Sequence, residues 1–196
     1  MRPRDEMRAP TRRAWMLAGL VLWASITGWS APAAASEQAF GTLRAGGAVV
    51  VMRHARAPGV GDPPDFRLDD CTTQRNLSEE GREQAKRIGL RLRAENVRIG
   101  RVLSSRWCRA LETARLAFGE TVEPSPALDS FFANREADAA QTRRVQELIN
   151  GWPSEGGVLV LVTHQVNITA LTGLFPSEGE ILVLTPGSAR IDRVKF

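Results

Sequence analysis

Seven consecutive residues, Gly157-Val158-Leu159-Val160-Leu161-Val162-Thr163, constrain the fold of this 196-residue chain more than any other stretch. The run is short, rich in valine and preceded by a second glycine, which favours a strand over a helix. It is apolar at nearly every position, not at every second one, so both of its faces need cover. Ala48 to Met52, Ala-Val-Val-Val-Met after Gly46-Gly47, has the same character. Strands of this kind belong in the interior of a sheet with helices on both sides.

The intervening sequence supplies helices. Asn76-Leu77-Ser78-Glu79-Glu80-Gly81 leads into a helical pattern that runs to about Glu95, with Ser78 as N-cap, acids in the first turn and arginines late. Arg101 to Ser105 reads as a strand and Cys108 to Phe118 as the helix after it. Residues 139–150 form a further amphipathic helix, and Ile181 to Phe196 two strands around Pro186-Gly187-Ser188. This alternation predicts an α/β fold, a three-layer α/β/α sandwich with a mostly parallel sheet. Ala55 to Asp70 is a loop of 16 residues rich in proline and glycine, a length usually kept for function.

The first 35 residues have the layout of an export signal. A basic stretch, Met1 to Arg13, precedes 16 residues without charge, Ala14 to Trp29, and then small residues that suit cleavage after Ala35. Sixteen residues fall short of a bilayer span, so an uncleaved anchor is the weaker reading. Thr11-Arg12-Arg13-Ala14-Trp15-Met16 fits a twin-arginine signal as well as it fits ordinary flanking charge. Both routes predict a periplasmic or secreted domain over residues 36–196, with no stable membrane span once the signal at 1–35 is removed.

That leader also accounts for the basic character of the chain. Of 26 Lys and Arg and 22 Asp and Glu, five arginines and two acids lie in residues 1–35, leaving 21 basic against 20 acidic residues. A balance so close to neutral gives no ground for a nucleic-acid partner. Two cysteines, Cys71 and Cys108, in an oxidising compartment leave two readings open, a single disulfide or two buried thiols.

The two histidines of the chain, His54 and His164, each follow one of the two strongest strand runs. In parallel sheets ligands gather at the carboxyl ends of strands, so both imidazoles are candidates for one site. Arg53 and Arg56 flank His54 and oppose a bound cation, which disfavours a metal-dependent hydrolase. No Gly-x-Ser-x-Gly elbow marks a serine hydrolase. Arginines bind phosphate bidentately and stay charged, and a histidine among them reads as a nucleophile toward phosphorus.

Arg53-His54, the run Leu77 to Ala85, the run Ser104 to Ala114 and Val162-Thr163-His164 together resemble the histidine phosphatase superfamily, whose fold is phosphoglycerate-mutase-like. The motifs fall in order over residues 48–170. The resemblance implies that His54 is the nucleophile and forms a phosphohistidine. It places Arg53, Arg109 and His164 around the phosphate, adds backbone donors near Gln165, and needs no metal or other cofactor. The implied partner is a small phosphorylated substrate. A phosphate-binding module that has lost catalysis is the alternative of a different class.

Three departures from the family stand out. Ala55 replaces the usual glycine after the histidine. Arg56 and Pro58 match a signature of the larger acid phosphatase branch, making Arg56 a candidate phosphate ligand, whereas size and Gln165 favour the small branch. The general acid has no obvious match: Asp129, in Pro126 to Phe132, is the position the small branch implies, with Glu136 and Asp62 as weaker candidates. Without Asp129 as donor, phosphohistidine and other good leaving groups gain ground. Trp107 and Trp152 are candidates for substrate stacking or for the core.

Overall fold

A computed structural model describes residues 31–196, so most of the export signal expected at residues 1–35 lies outside the described residues. The chain runs α1 (Ala31–Ala45), β1 (Val49–Arg53), α2 (Glu79–Ala94), β2 (Ile99–Ser104), α3 (Cys108–Phe118), β3 (Glu123–Pro124), α4 (Asp138–Asn150), β4 (Val158–Thr163), α5 (Gln165–Thr172), β5 (Ile181–Leu184) and β6 (Ile191–Val194). The sheet order is β3-β2-β4-β1-β5-β6. β3, β2, β4 and β1 are parallel, and β5 and β6 are added antiparallel, so the expected mostly parallel sheet carries a two-stranded antiparallel edge.

The all-apolar strands do what their sequences require. Val50, Met52, Val160 and Val162 face one way, where Ile88 and Leu92 of α2 and Ala110 and Ala114 of α3 cover them. Val49, Val51, Leu159 and Leu161 face the other way, against Val145 and Ile149 of α4 and Ile168 of α5. Alternate residues of one strand thus enter separate cores, which is why Val49 to Met52 and Val158 to Val162 carry no polar position and polar residues come only at the strand ends. α1 adds Ala39, Phe40 and Leu43 to the first of these cores. Among the described residues no helix is long and apolar enough to cross a membrane.

Local signals set the helix ends. Ser78 accepts a hydrogen bond from the Gly81 amide at 3.2 Å, with Glu79 and Glu80 in the first turn of α2 and Arg91 and Arg93 in its last. A β-carbon on Gly81 would stand 2.1 Å from the Arg56 carbonyl oxygen, so this glycine lets the chain leaving β1 lie directly on the helix.

Register places the site. β1 pairs with β4 from Val49↔Leu159 to Arg53↔Thr163, so His54 and His164 are each one residue beyond the last paired position on the same sheet edge. The His54 amide continues the ladder with a 2.9 Å bond to the Thr163 carbonyl, and the Ser105 amide does the same to Val162 at 2.9 Å.

The long loop after β1 is fastened to α3. Cys71 and Cys108 form a disulfide, and Gln74 Oε1 accepts from the Cys108 amide at 3.0 Å. The bridge closes a 37-residue separation. In the chain-entropy account a loop of that order stabilises the fold by about 3 to 4 kcal/mol. A Cys71→Ser/Cys108→Ser double variant should lose stability on that scale in urea unfolding monitored by circular dichroism.

Candidate active site

Five elements converge on a cavity of about 620 Å³ at this carboxyl edge. β1 supplies Arg53 and leads into His54, α3 supplies Arg109, and β4 leads into His164, followed by Gln165 and Val166 at the start of α5. The long loop contributes Asp62 and Arg75, and Trp107, just before α3, completes the floor.

His54 is buried, and its Nδ1 lies 2.7 Å from the Ala55 carbonyl oxygen. A carbonyl only accepts, so Nδ1 carries the proton and Nε2 keeps its lone pair. The two imidazoles stand edge to face with centroids 5.4 Å apart, and Trp107 meets His164 in the same manner at 5.5 Å. His164 Nε2 is 2.8 Å from Ser105 Oγ, which lies in turn 3.3 Å from Asp129 Oδ1.

Arg109 is almost fully buried and is met by Asp62 in a two-pronged ion pair, Nη1–Oδ1 2.6 Å and Nη2–Oδ2 3.1 Å. Asp62 also accepts from Trp107 Nε1 at 3.0 Å and from the Arg75 amide at 3.1 Å. Arg75 donates from Nε to the Gly61 carbonyl at 2.8 Å and from Nη1 to the Ala57 carbonyl. Arg53 donates to the Pro176 carbonyl at 3.0 Å and stands 3.7 Å from Glu178.

Of the expected site residues, the fold brings together Arg53, His54, Arg109, His164 and Gln165. It does not bring Arg56 or Asp129 to the cavity wall. The Arg56 carbonyl is pressed against Gly81 and accepts from the Ser78 amide at 3.1 Å, which turns its side chain to solvent. The Asp129 carboxylate lies behind Ser105, held by the Arg106 amide at 2.9 Å and by Arg106 Nε and Nη2 at 2.8 and 2.6 Å. Glu136 is exposed and off the wall, and Trp152 packs against the α4 side of the sheet. Ala55, the departure after the histidine, is fully buried beside Ala57, Leu77 and Ala85, so its methyl group faces that small cluster. Arg75 escaped the sequence reading. Its only signal is its place just before the Ser78 cap, where the long loop must recross the sheet edge to enter α2.

The model of the histidine phosphatase superfamily, branch 1, matches residues 49–135. Over that segment, which holds β1 to β3, the chain matches the histidine phosphatase superfamily. No curated protein matches significantly. Three solved structures illustrate the likeness in fold. The protein histidine phosphatase SixA, complexed with tungstate, is 19% identical with a TM-score of 0.51 and covers 76% of this chain and 94% of its own. A phosphoserine phosphatase from Entamoeba histolytica, in complex with 3-phosphoglyceric acid, is 14% identical with a TM-score of 0.52, covering 74% and 96%. A mycobacterial glucosyl-3-phosphoglycerate phosphatase complexed with VO3 is 21% identical with a TM-score of 0.52, covering 75% and 96%.

The family match ends before β4, and His164 joins the site through the β1–β4 register. The electrostatics follow from burial next to arginines. Desolvation, then Arg109, holds the His54 pKa well below its ordinary value, with the Ala55 carbonyl opposing. His164 is lowered in the same way, by desolvation, then by His54 and Arg109. Both rings are therefore neutral at neutral pH. Burial opposes ionisation of Asp62, but the Arg109 hydrogen bonds and charge outweigh it, and the carboxylate pKa is lowered. Burial lowers Arg53 and Arg75 from their ordinary value, and repulsion from Arg109 adds to it in both.

A sign follows for stability. Below the ordinary histidine pKa of about 6.5 the unfolded chain binds protons that the folded histidines refuse, so stability falls as pH drops through that value. Urea midpoints should decline from pH 7.5 to pH 5, and a His54→Gln/His164→Gln variant should show a shallower decline.

Proposed function

We propose that this phosphatase works through a covalent phosphohistidine on His54, hydrolysing a phosphomonoester or a phosphohistidine substrate without a metal. The observation that carries the reading is the tautomer of His54: a buried, neutral imidazole with Nδ1–H given to the Ala55 carbonyl and Nε2 left as the nucleophile. Arg53, Arg75 and Arg109 surround it with positive charge that only Asp62 and Glu178 offset. A phosphoryl group entering there relieves the repulsion among the arginines, most strongly as charge spreads over its equatorial oxygens. The first amides of α5, at Gln165 and Val166, lack partners within the helix and suit the same anion. Among the described residues no three His, Cys, Asp or Glu side chains gather as metal ligands would.

In the first step Nε2 of His54 attacks phosphorus while the bond to the leaving atom breaks and that atom keeps the electron pair. Water then attacks the phosphohistidine, releasing inorganic phosphate and restoring the neutral ring. Asp62 is the one carboxylate on the wall, and it accepts four hydrogen bonds as an anion. It orients Arg109 and does not supply a proton. Substrates whose leaving group departs as a stable anion, or brings its own proton, fit this arrangement best; aryl phosphates and phosphohistidine are two such classes. The signal-like pattern of residues 1–35 and the Cys71–Cys108 bridge support action outside the cytoplasm.

The test is turnover of phenyl phosphate by the folded domain, undiminished by a chelator. Rapid quench into alkali should trap label as a base-stable, acid-labile phosphoryl group on His54. Tight phosphate binding without turnover would instead assign the chain to the binding-module reading.

A further inference from the structure

Large apolar side chains left in water are unusual enough to ask why they are there when they cluster. Among the described residues five are exposed, and three of them, Val60 at 88%, Phe132 at 49% and Phe175 at 68%, line the mouth of the one cavity that holds His54. They come from three separate loops. Val60 is in the long loop after β1, Phe132 follows the Pro126–Leu128 turn, and Phe175 joins α5 to β5. The loops also meet: a β-carbon built on Gly61 would stand 3.8 Å from Phe132 Cε1. Arg135 stacks over the Phe132 ring, 5.8 Å from its centroid.

The wall below the rim is of the same kind. Phe66 packs on Trp107 with centroids 5.5 Å apart, and Pro63 and Pro64 lie beside them. Two polar side chains of the wall are already engaged, since Ser130 Oγ accepts from the Phe132 amide at 3.3 Å and Gln165 donates to Thr169 at 2.8 Å. The site is thus cationic at its floor and apolar at its mouth. A phosphate held at the floor sends its leaving group out past the rim.

We infer that the substrate's leaving group carries an apolar ring or chain, and that Val60, Phe132 and Phe175 determine specificity by covering it. This rests on the phosphatase reading above and names the substrate class of that same site. The rim is continuous with the phosphate floor, which ties its occupant to the substrate and not to a separate partner.

The experiment uses para-methyl-, para-butyl- and para-octylphenyl phosphate, below the onset of micelles. These phenols have nearly equal acidity, so only apolar reach varies along the series. From methyl to octyl, kcat/KM should rise by about tenfold or more, from the added methylenes removed from water. In a Val60→Ser/Phe132→Ser/Phe175→Ser variant, with its fold checked by circular dichroism, that ratio should shrink to below about threefold. A flat series in the unmodified protein overturns the inference while leaving the phosphatase reading intact. Failure to turn over any member overturns both. A flat series with co-flotation on phosphatidylcholine vesicles assigns the rim to a membrane surface and also overturns it, as does a ratio that survives the triple substitution.

Discussion

Replacing His54 by alanine is expected to abolish phosphate release, by about 10⁴-fold or more in kcat, because on the proposed mechanism the variant has no group to form the covalent intermediate. The loss is of chemistry and not of binding. Arg53, Arg75 and Arg109 remain, so an inorganic phosphate or vanadate titration should still report occupation of the floor, within about tenfold of the unmodified protein. No label should be trapped after alkaline quench. The pH dependence of the parent enzyme carries the same signature. Because the His54 pKa is held below its ordinary value, first by burial and then by Arg109, the nucleophile stays deprotonated as the medium is acidified through about pH 6.5. The acid limb of kcat/KM therefore falls below that value, and a limb centred above it would contradict the assignment of Nε2 as attacking atom. Glutamine at the same position separates space from chemistry: it fills much of the ring's volume and is as inactive as alanine.

The frame of this site was readable from sequence because it depends on patterns that local physics enforces. Two runs without polar positions had to be interior strands, and a histidine directly after each had to fall at the same sheet edge once the strands paired in parallel. α5 was not readable, since Gln165 to Thr172 contains Val166, Ile168 and two threonines, residues of weak helix propensity, and is held by packing of Ile168 against the sheet. The carboxylates show the limit more sharply. Asp129 stands where a proton donor was expected, yet its oxygens are taken by Arg106 and Ser105, and it touches the site only through Ser105 to His164. Asp62 and Arg75 come together because a disulfide and Gln74 fold the long loop back onto α3. Nothing in the local sequence encodes that closure. The apolar rim has the same origin, three loop residues that only the tertiary structure makes neighbours.

Arg109→Ala carries the second large effect, and it divides into two that can be measured apart. In catalysis the variant loses a buried guanidinium beside the phosphorus, which lowers kcat/KM by about 10² to 10³-fold. In stability it strands Asp62, a mostly buried carboxylate whose two oxygens face Arg109 at 2.6 and 3.1 Å. Breaking one side of such a pair costs about 3 kcal/mol, most of it the burden of the charge left behind. Removing that charge as well should relieve most of it, because asparagine is neutral and its one amide oxygen can still accept from either the Trp107 indole or the Arg75 amide. The Arg109→Ala/Asp62→Asn double variant is therefore expected to recover most of the urea stability and none of the turnover. Asp62→Asn alone frees Arg109 from its competitor and should tighten phosphate binding while leaving that arginine less well oriented, so KM and kcat fall together. If Asp62 were the proton donor, the same variant would slow an alkyl phosphate far more than an aryl phosphate. An equal effect on both is the outcome that an anionic, arginine-bound carboxylate requires.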